Sequence, residues 1–165
     1  MRSLQDNGKA IETPHIIGYG FFGKKMSQTI LALDYGTKKI GLAVGETLTG
    51  GARPLLTLFN RQGQADWPKL AQIIAEWQPD VLLVGLPLRE DGAETASSQR
   101  ARHFMAQLQQ RFPLPVQGVN EYLSSHAAAE RLEIYGKKKR QPSLDAVAAQ
   151  IILETWLGQI WTSTN

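Results

Sequence analysis

The chain contains no cysteine, which excludes disulfide staples and every thiolate metal site and fits a reducing compartment. It has no apolar run near the ~18 residues that a membrane-spanning helix needs. Histidine is scarce: His15, His103 and His126 are scattered, with no ligand spacing among them. Charge of one sign is not in large excess either. The formal net charge is +3, compatible with a phosphate-rich partner without identifying one. No internal repeat is visible, so solenoids and propellers drop out.

What is present is ordinary in bulk. The 165 residues are 42% hydrophobic and 20% charged, enough for one domain with a real core. Residues 1–25 stand apart. They mix Asn-Gly, Thr-Pro-His and Gly-Tyr-Gly-Phe-Phe-Gly without helical or strand period. Ile16-Ile17 is too short for the ~7–15-residue apolar core of a secretory signal. Asp6, Glu12 and a lone Arg2 do not suit a transit peptide. The expectation is a disordered leader or non-native extension over 1–25, Met26 as a candidate start, and a single domain over 26–165.

The chain is organised around Ile30 to Val44. Ile30–Leu33 is a short apolar strand that ends in Asp34; Tyr35-Gly36-Thr37-Lys38 supplies a turn, and Ile40–Val44 resumes as a second strand. Ala52–Phe59, with Pro54 near its start, reads as an antiparallel edge strand. Asp66 and Pro68 open a helix with Leu70, Ile73, Ile74 and Trp77 on one stripe. Val81–Val84 is apolar throughout, which predicts a central parallel strand buried on both faces. A helix over about 95–112 carries Arg100, Arg102 and Arg111 on a polar face. A strand from Val116 then delivers Asn120 and Glu121 at its carboxyl end. Ser124 or Ser125 caps a helix to about Tyr135. Ser143 caps the last one, whose buried stripe is read as Leu144, Val147, Ala148, Ile151 and Ile152. Right-handed crossovers between the later strands then give an α/β fold: a mixed five-stranded sheet with helices on both faces.

Three acids are set for chemistry by this order. Asp34 and Glu121 close strands, at the edge where open α/β sheets place ligands, and Asp145 occupies the first turn of the final helix. Each also has a plain structural use: turn, surface carboxylate, helix-dipole partner. Brought together they would repel, and their pKa values would rise unless a cation neutralised them. The hard, oxygen-seeking Mg²⁺ or Mn²⁺ suits such a set. Two such ions ~3.5–4 Å apart can clamp an in-line phosphodiester displacement. Lys137, Lys138, Lys139 and Arg140 precede Asp145 and are candidates for sequence-blind phosphate contact; a solvated loop is the plainer reading. Lys38 and Arg53 are weaker candidates for the same duty.

Four stretches together resemble the motifs of the YqgF/RuvX family: Asp34-Tyr-Gly-Thr-Lys-Lys-Ile-Gly-Leu-Ala, Val84-Gly-Leu-Pro-Leu-Arg-Glu-Asp-Gly92, Asn120-Glu-Tyr-Leu-Ser-Ser125 and Asp145-Ala-Val-Ala-Ala-Gln-Ile-Ile-Leu153. The resemblance covers about 30–157. It implies an RNase H-like fold and metal-bound catalytic acids at Asp34, Glu121 and Asp145, holding two Mg²⁺ or Mn²⁺ ions. It also implies a cytoplasmic nuclease. The partner would be nucleic acid, either the pre-16S rRNA leader in ribosome biogenesis or branched DNA at a Holliday junction. The third motif departs from the family pattern, since Asn120 and Tyr122 stand where Asp and Arg are usual. Loss of that Arg removes a bidentate phosphate donor; Tyr122 offers stacking on an unpaired base, or packing, in its place. Two other readings compete. An actin-like or sugar-kinase ATP site shares the Asp-x-Gly-Thr turn but needs a second related domain. A nucleic-acid-binding module without catalysis would follow from Asn120 and Tyr122. No stretch announces an interface, so a monomer or weak homodimer is expected, with no membrane partner.

Overall fold

In the computed structural model, residues 26–121, 130–134 and 142–164 are described. The alternation read from the sequence becomes β1 (Thr29–Tyr35), β2 (Lys39–Glu46), β3 (Ala52–Phe59), α1 (Trp67–Trp77), β4 (Val81–Pro87), α2 (Ala96–Arg111), β5 (Val116–Glu121) and α3 (Leu144–Thr164). The strands form one sheet in the order β3-β2-β1-β4-β5. β1, β2 and β3 are antiparallel neighbours, whereas β4 lies parallel to both β1 and β5. The mixed five-stranded sheet expected from the sequence is therefore observed. β3 is an edge, and its register slips between Leu42 and Ala43 of β2, beside the place where Pro54 cannot donate to a ladder.

Strand period 2 sorts the core into two layers. Leu31, Leu33, Leu82 and Val84 face α1 and α2, packing on Leu70, Ile73, Phe104 and Leu108. Ile30, Ala32, Val81 and Leu83 face the other way, against Ala149, Ile152, Leu153 and Leu157 of α3. β4 supplies both layers, which is why its apolar run does not alternate. Each such large side chain contributes about 1.5–3 kcal/mol by leaving water, so the sheet centre is the rigid part of the molecule.

Local chemistry sets where the helices begin. The Asp66 carboxylate accepts from the Lys69 amide at 3.2 Å and Pro68 lies in the first turn of α1. Gln78, in the left-handed region at φ 46°, ends it. Asp80 then staples the starts of β1 and β4: its Oδ2 accepts from Thr29 N at 2.8 Å, while its amide donates to Thr29 O at 2.7 Å. Thr95 and Ser98 exchange bonds as a capping box for α2, and the Thr95 hydroxyl donates to Pro87 O at 3.0 Å, tying that helix to the end of β4.

Two helix readings need correction. Leu144 is not in the buried stripe of α3 but 40% exposed, because the backbone of the next residue, Asp145, takes the sheet-facing place. Arg111 does not lie on a wholly polar face: its guanidinium stacks over Trp67, 4.1 Å from the ring centroid. Residues 130–134 are helical, with Arg131 bonding both carboxylate oxygens of Glu154 at 2.9 and 3.2 Å. The rest of that expected helix, the leader over 1–25, Tyr122, and Lys137, Lys138, Lys139 and Arg140 lie outside the described residues. Among the described residues no helix is long and apolar enough to cross a membrane.

Candidate active site at the carboxyl edge of the sheet

Counting by twos along the strands places the candidate acids. Ile30 and Ala32 face α3, so Asp34 does too. On β5 Val119 faces α3, and two residues later so does Glu121. β1 and β5 flank β4 in parallel, so both carboxylates emerge at the same edge and on the same face. α3 begins there. Ser143 caps it, its Oγ accepting from Ala146 N at 3.2 Å, and the Thr57 and Ser143 hydroxyls share a hydrogen bond that ties the cap to β3. The sheet thus meets Asp145 as soon as the helix starts.

Two glycines make this approach possible. Gly41 is the register partner of Asp34 on β2. A methyl group there would lie 1.9 Å from the carbonyl oxygen of Asp145 and 2.8 Å from Ala146 N. The first turn of α3 therefore rests on bare backbone. On β4, a methyl group at Gly85 would lie 2.5 Å from Ile152 Cδ1 and 3.2 Å from the Glu121 carboxyl carbon. One glycine admits Asp145 and the other admits Glu121, on either side of Asp34. An isolated glycine inside a strand signals close approach of another group; that sign was in the sequence at Gly41 and Gly85.

The electrostatics follow from this crowding. Burial, and then the charge of Asp145, raise the Asp34 carboxyl to about 6. Burial, and then the charge of Asp34, raise Glu121 to about 8. Asp34 is thus the shared member, coupled to an acid on each side. Lys39 compensates part of the charge, its Nζ 3.2 Å from Asp145 Oδ2. The pair is partly exposed, so it is worth only about 0–1 kcal/mol to stability. Lys38, not Lys39, is the candidate the sequence offers. Lys38 sits in the turn and Lys39 on the strand, two residues from Gly41 and so on the α3 face; strand parity was the available signal.

Because both shifts are upward, the stability these acids contribute is fully present below their ordinary values near 4 and is lost as pH rises through about 6 and then about 8. In chelator, the unfolding free energy from urea melts is expected to fall by about 2 kcal/mol or more from about pH 5 to about pH 9. A flat profile over that window would mean the acids are better solvated than the fold implies.

Arg53 is not part of this edge. It pairs with Val44, toward the other end of β2, and its guanidinium lies over Trp77, 4.9 Å from the ring centroid. There it lines a cavity of about 370 Å³ with Thr29, Glu46 and Thr49.

The donor set is oxygen only, which suits a hard divalent cation. Two buried carboxyls, each raised first by burial and then by a neighbouring acid, are what a cation would relieve. Among the described residues, however, no group of three or more His, Asp or Glu closes to the spacing of ligands on one ion. Asp34 with Glu121, and Asp34 with Asp145, are the pairs the fold offers. Lys39 takes an oxygen of Asp145.

Known proteins carry the same arrangement of sequence. A "Putative pre-16S rRNA nuclease" of Glaesserella parasuis serovar 5 is 43% identical over 136 residues, covering 81% of this chain and 99% of its own length. Its namesake in Pectobacterium carotovorum subsp. carotovorum is 46% identical over 132 residues, covering 79% and 95%. Among solved structures, T. thermophilus RuvC in complex with a Holliday junction substrate aligns with a TM-score of 0.49 at 16% identity, over 81% of this chain and 96% of that one. The family model described as "RuvX: Holliday junction resolvase" matches residues 28–159. That match takes in all five strands, all three acids and most of α3, so the chain belongs to the RuvX family.

Proposed function

We propose that this protein is a divalent-metal-dependent endonuclease that hydrolyses phosphodiester bonds in the 5′ leader of pre-16S rRNA. The observation that carries the reading is the edge where Asp34, Glu121 and Asp145 share one face of the sheet, with Asp34 electrostatically coupled to each of the others. The relatives, each named "Putative pre-16S rRNA nuclease", suggest the substrate. Asp34 would serve both ions as the common ligand, with Glu121 completing one site and Asp145 the other. When bound, the ions activate the nucleophile and stabilise charge on the attacking and leaving oxygens. With Asp145 holding a metal, the ammonium of Lys39, now on Asp145 Oδ2, would be free to contact a phosphate beside the acids. Lys38, one residue away in the turn, adds a second cation to that rim. A cysteine-free chain of this kind suits the cytoplasm.

The family description favours a second reading, cleavage of four-way DNA junctions. Symmetric cutting there would need a two-fold dimer. Both readings are tested together by incubating the protein with a precursor rRNA leader and with a four-way junction, in Mg²⁺, in Mn²⁺ and in EDTA. Cleavage of the leader that EDTA abolishes is the expected result. Cutting of the junction alone would transfer the proposal to the resolvase reading, and EDTA-resistant cutting would remove the metal mechanism.

A further inference from the structure

Phe59 is 65% exposed at the last position of β3. A large aromatic left in water at the end of an edge strand invites association with other chains, so its surroundings bear on what it does. Its cross-strand partner is Lys39, and directly opposed residues present their side chains on the same face. Lys39 faces α3, since its ammonium reaches Asp145. Thr57, two residues earlier on β3, faces α3 as well, since its hydroxyl meets that of Ser143. Two independent contacts therefore put the ring of Phe59 on the face and edge that carry the acids. β3 is two strands from β1 and Phe59 lies two residues past Thr57, the position level with Asp34, so the backbones at Phe59 and Asp34 stand about 12 Å apart.

The backbone that carries the ring is also held in place. Asn60, the next residue, donates its amide to Lys38 O at 2.8 Å, and its side chain donates to Gly36 O at 2.9 Å and Thr37 O at 3.0 Å. Arg61 and Gln64 then close a bridged turn, with exchanged bonds of 2.8 and 2.9 Å. The end of β3 is thereby locked to the β1–β2 turn. An aromatic side chain on a fixed backbone has only two torsions to immobilise when a ligand covers it. Lys39 is its cross-strand partner, and Lys38 and Arg61 lie within two residues of that pair along the chain, so the end of β3 is rich in cations. A flat apolar ring among cations fits a polymer of planar bases joined by phosphates.

Resting on the nuclease reading above, we propose that Phe59 is a stacking platform for an unpaired nucleobase flanking the scissile link, with Lys39 on the adjoining phosphate. The site then selects a single-stranded or frayed segment at the cut, because a paired base cannot turn its face to the ring.

The test measures binding by fluorescence anisotropy of a labelled single-stranded oligoribonucleotide, using proteins silenced for cleavage by Asp34→Asn. Phe59→Ala and Phe59→Trp are compared in that background, along with oligonucleotides carrying one abasic position at a time. Phe59→Ala is expected to weaken binding about 5- to 150-fold without lowering the melting temperature, and Phe59→Trp to restore it. One abasic position should reproduce the loss in the parent and have no effect in Phe59→Ala. In cleavage-competent protein the same change should raise KM more than it lowers kcat. If Phe59→Ala binds as tightly as the parent, the stacking role is wrong while the nuclease reading stands. If no variant binds the oligonucleotide at all, that reading falls and takes this inference with it.

Discussion

Asp34→Asn is expected to reduce metal-dependent cleavage by about 10²- to 10⁴-fold while making the metal-free protein more stable. The two effects share a cause. Asp34 is the acid that both neighbours feel, so an amide there removes the one ligand common to both proposed ion pairs. The same amide removes a carboxylate that burial and Asp145 hold at about 6. Above that pH the wild-type chain keeps a charge in a poorly solvated place. A neutral group of the same shape should therefore raise stability at about pH 8 by about 1–3 kcal/mol. Below about pH 4 the carboxyl is protonated in both states, and the gain should vanish. Glu121 should respond too. The charge of Asp34 is the lesser cause of its elevation, so in Asp34→Asn it should ionise at lower pH, though still above an ordinary glutamate. Paired urea melts and single-turnover cleavage across pH would check this. A variant that loses activity and stability together would show Asp34 to be structural, and one that keeps activity would remove the mechanism.

Gly41→Ala is expected to cost about 1–3 kcal/mol of stability and about 10²-fold in activity, although it adds a single methyl group with no chemistry of its own. The methyl carbon would lie 1.9 Å from Asp145 O. β2 is hydrogen-bonded on both sides and cannot recede, so the first turn of α3 must lift. Asp145 then leaves the neighbourhood of Asp34, and the Thr57–Ser143 and Lys39–Asp145 contacts are strained or lost. Misplacement of a catalytic group by about 1 Å is enough for the expected loss of rate. Gly158→Ala, on the same helix with nothing within 4 Å of the added carbon, is the control. It should be neutral or stabilising by up to about 1 kcal/mol. Wild-type melting and activity in Gly41→Ala would show that α3 is not seated on β2 as described.

The local elements were legible because they depend on neighbours in the chain. Asp66, Thr95 and Ser143 bond amides within three residues of themselves, and the unbroken apolar run of β4 records burial on both sides. The motif around Asp34, the strand end at Glu121 and the first-turn position of Asp145 were visible as well. Other features needed the fold. Leu144 fits the helical period but sits at the point where the Asp145 backbone meets Gly41, so packing overrode period. Arg53 and Asp34 are separated by only a hairpin and a turn, yet antiparallel pairing sends Arg53 along the sheet to Trp77, away from the acids. Lys38 and Lys39 are equivalent as letters, and only the pleat tells them apart.

On its own, the sequence determined the alternation of strands and helices, the caps, the central buried strand and the three acids worth watching. The tertiary structure decided which residues meet: that Asp34, Glu121 and Asp145 share one face, that Gly41 and Gly85 admit the other two to Asp34, and that Lys39 and Phe59 border them. The physical reason is range. Caps and periodicity arise from backbone geometry over a few residues, whereas residues 34, 121 and 145 are gathered by strand order and helix seating. Those are settled by burial across the whole sheet.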